Sequence, residues 1–323
     1  MPELTVIIPA HNPDEGRLGR TLAALRVQSL SPGLWETILV DNASAQFPSQ
    51  ARCAQIGPST VRIVREPKVG LTAARCRGFA ESRAPVCVLV DDDNVLAPNY
   101  LETVLRAFSA EPRLGAIGGR SLPEFESCPP PWAREFDGLL ALRDLGPKLL
   151  RAAWSSPEGR SYPVCAPLGA GMAIRRSAAD SYASAVNADS NRKGLDRSGS
   201  ALVSGGDNDL VMVALEAGHE VAYLPDLQLT HLIPRRRIER DYLGALNRAI
   251  ARSWVRVLAL HGIVLWPASP PRSVWLRQAR AWLRMRAWRG PAEWIRWQGA
   301  CGNFEGRGDI WNLARSKAVA SDS

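Results

Sequence analysis

Four short, largely β-branched runs, each cut off by polar residues, constrain this chain more than any other feature. They are LTVIIPA before His11-Asn12, WETILV before Asp41-Asn42, VRIV before Arg65-Glu66 and PVCVLV before Asp91-Asp92-Asp93. Near-continuous apolar runs of this length suit strands covered on both faces, as in a parallel sheet. Helical patterns lie between them. GRLGRTLAALRVQSL spaces Leu18, Leu22, Leu25 and Leu30 near the helical period, GLTAARCRGFAESR follows a glycine turn, and PNYLETVLRAFSAEP starts at Pro98. The order strand, helix, strand, loop, strand, helix, strand, helix predicts an α/β fold whose helices cross over between mostly parallel strands. Such sheets bind ligands beyond the carboxyl ends of their strands, so the four polar clusters should converge on one edge.

Further along, PEFESCPPPWAREFDG reads as a proline-rich loop, and PLGAGMAIRRSAADSYA as a glycine turn, a short strand and a helix. VNADSNRKGLDRSGSALVSGG reads as a polar, mobile surface loop. DNDLVMVALEAGHE is helical and stops at Gly218, and VAYLPDLQLTHLIP is one strand or two, ending near His231. From Ile238 onward the pattern is helical, with Tyr242, Leu246, Ala249, Trp254 and Val257 roughly on one face. SVWLRQARAWLRMRAWR puts Trp275, Ala279, Trp282 and Leu283 on one side and Arg277, Arg280 and Arg284 on another, with Gly290-Pro291 as its stop. The residues after Arg315 read as a frayed tail.

Charge divides the chain in the same place. Residues 1–233 carry 23 Lys+Arg against 26 Asp+Glu, a net −3, and residues 234–323 carry 17 against 6, a net +11. Eight of the eleven tryptophans also lie beyond residue 233, so two parts with different work are expected. The six cysteines are scattered singly with no metal-like spacing, and they read as reduced core residues of a cytoplasmic protein. Met1-Pro2-Glu3 runs directly into a strand, without the basic region or cleavage site of a signal peptide.

Asp91-Asp92-Asp93 is costly as a bare cluster of like charges. A D-x-D at a strand end suits Mg²⁺ or Mn²⁺, hard ions that share their coordination with substrate phosphates and can stabilise a departing diphosphate. An Asx-rich turn capping the next helix is the plainer reading of the same residues. The wider pattern favours the first. VIIPAHNPDEGRLGRTLAAL, ILVDNAS, REPKVGLTAARCRGF, LVDDDNVLAPNYL, LGAGMAIRR and GGDNDLVMVALEAGHEVAYLPDLQLTH occur in this order. Together they resemble the family 2 glycosyltransferases of the GT-A fold, over roughly residues 3–240.

The resemblance implies a Rossmann-like, mostly parallel sheet between helices over residues 1–233. The nucleotide-binding half would be about 1–95 and the acceptor half about 96–233, with residues 234–323 a basic, Trp-rich helical extension. It implies a nucleotide-sugar donor, UDP- or GDP-linked, with Pro9, Ala10, His11, Asn12 and Glu15 in the first nucleotide-binding loop. His11 stands where Tyr is usual, and its flat ring can still stack on a base. Asp41 matches the acid that reads the base. Arg75 matches the basic residue of G-x-x-x-A-R-N, with Cys76 in place of the Asn. Asp91 falls near the ribose, Asp93 on the Mn²⁺ or Mg²⁺, and Asp92 at the variable middle position. The family's E-D-x-D reads Gly206-Asp207-Asn208-Asp209 here, so the first acid is missing. Asp207 aligns with the base that deprotonates the acceptor hydroxyl, and Asp209 serves the helix start beside the acceptor. His231 aligns with a further metal ligand. Gly169, Ala170 and Gly171 lie where acceptor meets donor sugar. A single inverting displacement fits one base without a second carboxylate pair, and the acceptor class is a saccharide or a lipid-linked hydroxyl of polysaccharide or cell-envelope synthesis.

The extension leaves alternatives open. Trp254–Trp266 is thirteen residues broken by Arg256 and His261, too short to span a bilayer, which takes about 20 residues. The Arg- and Trp-bearing helix beyond it either lies in the headgroup layer of an anionic membrane, on the cytoplasmic face, or packs on the catalytic core. No nucleic-acid motif accompanies the arginines. Because of Gly206, a catalytically silent nucleotide-binding scaffold on the same fold is the alternative to an enzyme. A sugar nucleotidyltransferase would need a basic, Gly-rich loop where PAHNPDEGR stands, and a dinucleotide dehydrogenase would need G-x-G-x-x-G there.

Overall fold

The computed structural model describes residues 1–155, 160–197, 199 and 201–321, and side chains as far as Arg315. In chain order its elements are β1 (Leu4–Ala10), α1 (Glu15–Arg26), β2 (Trp35–Asn42), α2 (Gln50–Ile56), β3 (Val61–Glu66), α3 (Leu71–Glu81), β4 (Val86–Leu89), β5 (Asn94–Leu96), α4 (Tyr100–Ala110) and β6 (Leu114–Phe125). There follow a 3-10 helix (Pro131–Leu140), β7 (Leu150–Ala152), β8 (Ala173–Arg175), α5 (Arg176–Ala188), α6 (Ser190–Lys193), α7 (Gly206–Glu216), β9 (Glu220–Ile233), α8 (Arg240–Leu260), α9 (Val274–Met285) and α10 (Pro291–Ser321). They group into two compact units. One comprises Met1–Glu126, Ala141–Gly194 and Gly206–Ile233, and the other Ser127–Leu140, Leu195–Gly205 and Pro234–Ser323.

In the first unit the strands form one sheet in the order β3-β2-β1-β4-β8-β6-β9-β5, with β7 added on β9. β3, β2, β1 and β4 run parallel, as do β6 and β9. β8, β5 and β7 enter antiparallel. Strand β1 shows why its sequence is apolar throughout. Leu4, Val6 and Ile8 pack into the core on one face, Ile7 packs into the core on the other, and no residue of the strand is exposed. Helix α3 lies so close to that second face that a Cβ on Gly78 would stand 2.3 Å from Ile7 Cγ2.

Local departures from the sequence pattern have simple causes. The segment between β2 and β3 contains α2, which Ser49 caps by accepting from the Arg52 backbone N–H, and its single buried residue gives no periodic signal. About a third of the expected mobile loop is helical, since α5 runs to Ala188 and α6 covers Ser190–Lys193, while Ser198 and Ser200 lie outside the described residues. β9 is one strand that absorbs an irregularity opposite Gly118–Arg120.

The second unit is built on α8, α9 and α10. Gly244 meets Trp294, Gly302 meets Arg248 and Gly306 meets Arg252 and Val255, so α8 and α10 run side by side in the same direction. A Cβ on Gly302 would come within 2.0 Å of the Arg248 carbonyl oxygen. Arg248–Glu305 and Arg252–Asp309 ion pairs line the same seam. α9 returns antiparallel, with Trp297 Nε1 donating to the Gln278 carbonyl (3.0 Å) and Trp282 stacked edge-on to Trp297 (4.8 Å between centroids). α9 ends before the expected Gly290-Pro291 stop, because Arg286 turns left-handed (φ 53°) and Gly290-Pro291 instead opens α10. The sequence pattern does not forecast α10, since its four glycines are poor helix formers, three of them placed for close approach to α8. It continues helical to Ser321 where a frayed tail was expected, and residues 322–323 lie outside the described residues. No described helix is long and apolar enough to cross a membrane.

Candidate active site

The polar ends of β1 and β2 are knitted together. Asp41, only 4% exposed, accepts from the Ser44 backbone N–H through Oδ1 (2.9 Å) and from Arg65 Nη1 through Oδ2 (2.9 Å). The Asn42 carbonyl faces His11 Nδ1 at 2.6 Å, and a carbonyl can only accept, so His11 carries its proton on Nδ1. Its Nε2 then accepts from Asn12 Nδ2 (3.0 Å). Asn12 sits at φ 47° and returns its Oδ1 to the Ala45 N–H (2.9 Å). Two hydrogen bonds thus hold an exposed flat ring at the end of β1, beside buried Pro9 and Ala10. Glu15 is not part of this knot. It is exposed at the first turn of α1, on a shallow groove shared with Pro48, Arg52 and Ile56.

Beyond β4 the chain turns through the three acids. Asn94, fully buried, shapes the turn by accepting from the Asp91 N–H (3.2 Å) and donating Nδ2 to Asp93 Oδ1 (3.2 Å). Asp91 and Asp92 are half-buried, whereas Asp93 is 4% exposed. The β5–β9 ladder pairs Asn94 with His231, which brings His231 Nε2 to 3.4 Å from Asp93 Oδ1. That is long for a hydrogen bond. Among the described residues no three His, Cys, Asp or Glu side chains form a metal cage. A buried carboxylate with one imidazole therefore fits a divalent ion that takes its other oxygens from a diphosphate and water, and does not fit a closed structural site.

A third cluster forms where α7 begins. Asp207 Oδ2 accepts from the Gly169 N–H and Oδ1 from the Asn208 N–H, both at 3.0 Å. A Cβ on Gly169 would stand 2.7 Å from Arg75 Nη2 and 3.2 Å from Asp207 Cβ, so Arg75 and Asp207 both lie against Gly169. Arg75 is 3% exposed on α3. Next to Gly169, Ala170 is buried and Gly171 takes φ +76°, with its carbonyl accepting from Tyr100 OH (2.6 Å). Leu89 N–H donates to the Met172 carbonyl (2.8 Å), so the 169–171 turn leaves the sheet beside the end of β4 and its acids.

A match to the family model described as glycosyl transferase family 2 spans residues 5–175. The chain belongs to glycosyl transferase family 2. Its α/β architecture is the GT-A fold. Over 113 residues it is 32% identical to polypeptide N-acetylgalactosaminyltransferase 4 of Caenorhabditis elegans, covering 35% of this chain and 19% of that protein. Over 115 residues it is 28% identical to the uncharacterized protein y4gI of Sinorhizobium fredii, covering 34% of this chain and 12% of that protein. The chain thus spans under a fifth of the length of either relative.

The site of this family 2 glycosyltransferase contains residues that sequence reasoning missed. Arg143 lies near Asp207, bonds the Ala166 carbonyl, and is pushed below the ordinary guanidinium range by burial. Tyr162 accepts from Asn208 Nδ2 (2.8 Å), and burial, then the Asp207 charge, push its hydroxyl upward. Both come from the irregular stretch between β6 and β8, which has no periodicity to read. Cys76, in place of the motif's Asn, holds a neutral thiol pushed up to about 11 by burial. Asp209, in the first turn of α7, is fully buried and paired with Arg192 of α6.

Proposed function

We propose that the protein transfers a sugar from a UDP- or GDP-linked donor to a hydroxyl of a saccharide or lipid-linked acceptor, with inversion at the anomeric carbon. The observation that carries this reading is the placement of Arg75 and Asp207 against Gly169, beside the strand end that delivers Asp91 and Asp93. Residues 1–95 bind the nucleotide and residues 96–233 the acceptor, while residues 234–323 form a separate extension. Asp41 and Asn12 meet the base, His11 stacks on it, and Asp91 meets the ribose. Arg75 faces the diphosphate. Asp93 and His231 hold Mn²⁺ or Mg²⁺, which when bound neutralises the charge developing on the leaving diphosphate.

Asp207 is the base. Each of its oxygens accepts one backbone N–H, which fixes the carboxylate and leaves a lone pair free to take the acceptor's proton. The acceptor oxygen bonds to the anomeric carbon as the bond to the diphosphate oxygen breaks, and the nucleoside diphosphate leaves with the electron pair. The reaction belongs in the cytoplasm, peripheral to the cytoplasmic face of a membrane.

The test is sugar transfer and donor hydrolysis with a panel of UDP- and GDP-sugars and Mn²⁺. Asp207→Asn should lower turnover about 10³-fold while keeping nucleotide-dependent thermal stabilisation. Asp93→Asn should remove the metal-dependent part of that stabilisation. Folded variants with wild-type turnover would overturn the assignment. Stabilisation by nucleotide and Mn²⁺ with no sugar ever released would favour the silent scaffold, for which Gly206 in place of an acid is the supporting observation.

A further inference from the structure

We infer that the outward face of α9 is a docking surface for an anionic lipid bilayer, which deepens the peripheral location proposed above and rests on that location alone. The helix is amphipathic in an unusual sense. At about 100° per residue, Val274, Gln278, Ala281, Trp282 and Met285 share one side, and this side is held against α10 through the Gln278 carbonyl and Trp282. The rest of the helix surface should then be polar. Instead it carries Trp275, Leu276, Ala279 and Leu283, of which Trp275 is 65% and Leu283 66% exposed. Trp288, just past the helix, is 56% exposed, and the loop leading toward it presents Val264 and Leu265. None of the eight tryptophans in this unit beyond residue 233 is buried. Isolated exposed apolar residues need no explanation, but a tryptophan and two leucines on one ridge of a packed helix do.

Charge identifies the occupant. Arg280 and Arg284 line one edge of the apolar ridge, and Arg272, Arg286 and Arg289 lie near its ends. All five are exposed, and among the described residues none of the five is in an ion pair with an acid. No Asp or Glu occurs anywhere from Tyr242 to Ala292. The arginines of α8 that face α10 are paired with Glu305 and Asp309, and Glu305 also accepts from Gln278 on the packed side of α9, so the acids serve packing and α9 itself carries none. A protein partner would need an acidic rim around an apolar groove. A bilayer containing anionic lipid offers both requirements continuously: phosphates at the depth of the guanidinium groups and acyl chains just below for Trp275, Leu276 and Leu283. The helix lies flat there and inserts shallowly.

The experiment is co-sedimentation of the full chain with sucrose-loaded vesicles of phosphatidylcholine alone or mixed with phosphatidylglycerol, across a salt series. The wild-type protein should pellet with the mixed vesicles at low salt and be released as salt screens the arginines. Arg280→Gln and Arg284→Gln should weaken partitioning about fivefold each. Trp275→Ser with Leu283→Ser should weaken it by at least about tenfold, whatever the salt. These exposed positions lie outside the proposed catalytic machinery, so donor hydrolysis in vesicle-free solution should be unchanged in all variants. A wild-type chain that stays in the supernatant at low salt, or variants that pellet equally well, would overturn the inference. So would light scattering showing a dimer that the Trp275 and Leu283 changes dissociate, since the ridge would then be covered by a second copy. Sedimentation is read without turnover, so failure of the transferase reading and failure of membrane docking remain distinguishable.

Discussion

Gly169 has no side chain because none fits between Arg75 and Asp207. A methyl group there would press on a guanidinium nitrogen 2.7 Å away, and that nitrogen is the far end of a long side chain that can swing. Gly169→Ala should therefore fold normally but displace Arg75 and Asp207 from each other. A misplacement of about 1 Å at reacting groups costs about 100-fold in rate. Turnover should fall by that order while the melting temperature stays near that of the wild type, and unchanged turnover would show that this contact does not matter to the chemistry. At this scale the sequence was readable wherever a residue type is chemically costly. Three consecutive acids and a lone His after a strand demanded a reason, and Asp93 and His231 do come together. Arg143, Tyr162 and Asn94 are ordinary residue types in ordinary contexts. Only the folded chain reveals that the first two surround Asp207 and that the third shapes the acidic turn.

At the scale of elements, the start of α7 depends on a buried ion pair. Asp209 has no exposed surface, and Arg192 of α6, with 12% of its side chain exposed, reaches it. Removing the cation from a buried pair leaves the carboxylate poorly compensated and costs about 3 kcal/mol. Arg192→Ala should lose about that much stability in urea denaturation, whereas Arg192→Met with Asp209→Leu should recover most of it. Equal stabilities for the wild type and the single variant would show that Asp209 is satisfied by other groups. The strands and α1, α3 and α4 were legible because burial on fixed faces imposes a period on the sequence. α2 buries only Cys53. α10 has glycines where a periodic apolar stripe would stand, because the Arg248 carbonyl occupies the space a side chain at Gly302 would need. Its packing, which suppresses the pattern, is also its source of stability.

At the scale of the whole chain, two compact units differ in charge, composition and the ligands proposed for them. Two units in one chain break the assumption of a single unfolding equilibrium unless they are strongly coupled. Their tryptophans separate them experimentally. Trp132 and the eight tryptophans beyond residue 233 belong to the second unit, and only Trp35 and Trp154 to the first. Tryptophan fluorescence thus follows mainly the second unit, whereas the whole sheet, and with it the far-ultraviolet strand signal, belongs to the first. If the proposed function holds, donor nucleotide with Mn²⁺ binds the first unit. At 100 times its dissociation constant it should stabilise that unit by about 2.7 kcal/mol. Thermal unfolding followed by circular dichroism should then shift upward with nucleotide, and the fluorescence transition should shift less. Equal shifts by both probes would mean that the units unfold as one cooperative body. A shift confined to fluorescence would place the nucleotide in the helical unit and contradict the site built on Asp41, Asp93 and Asp207.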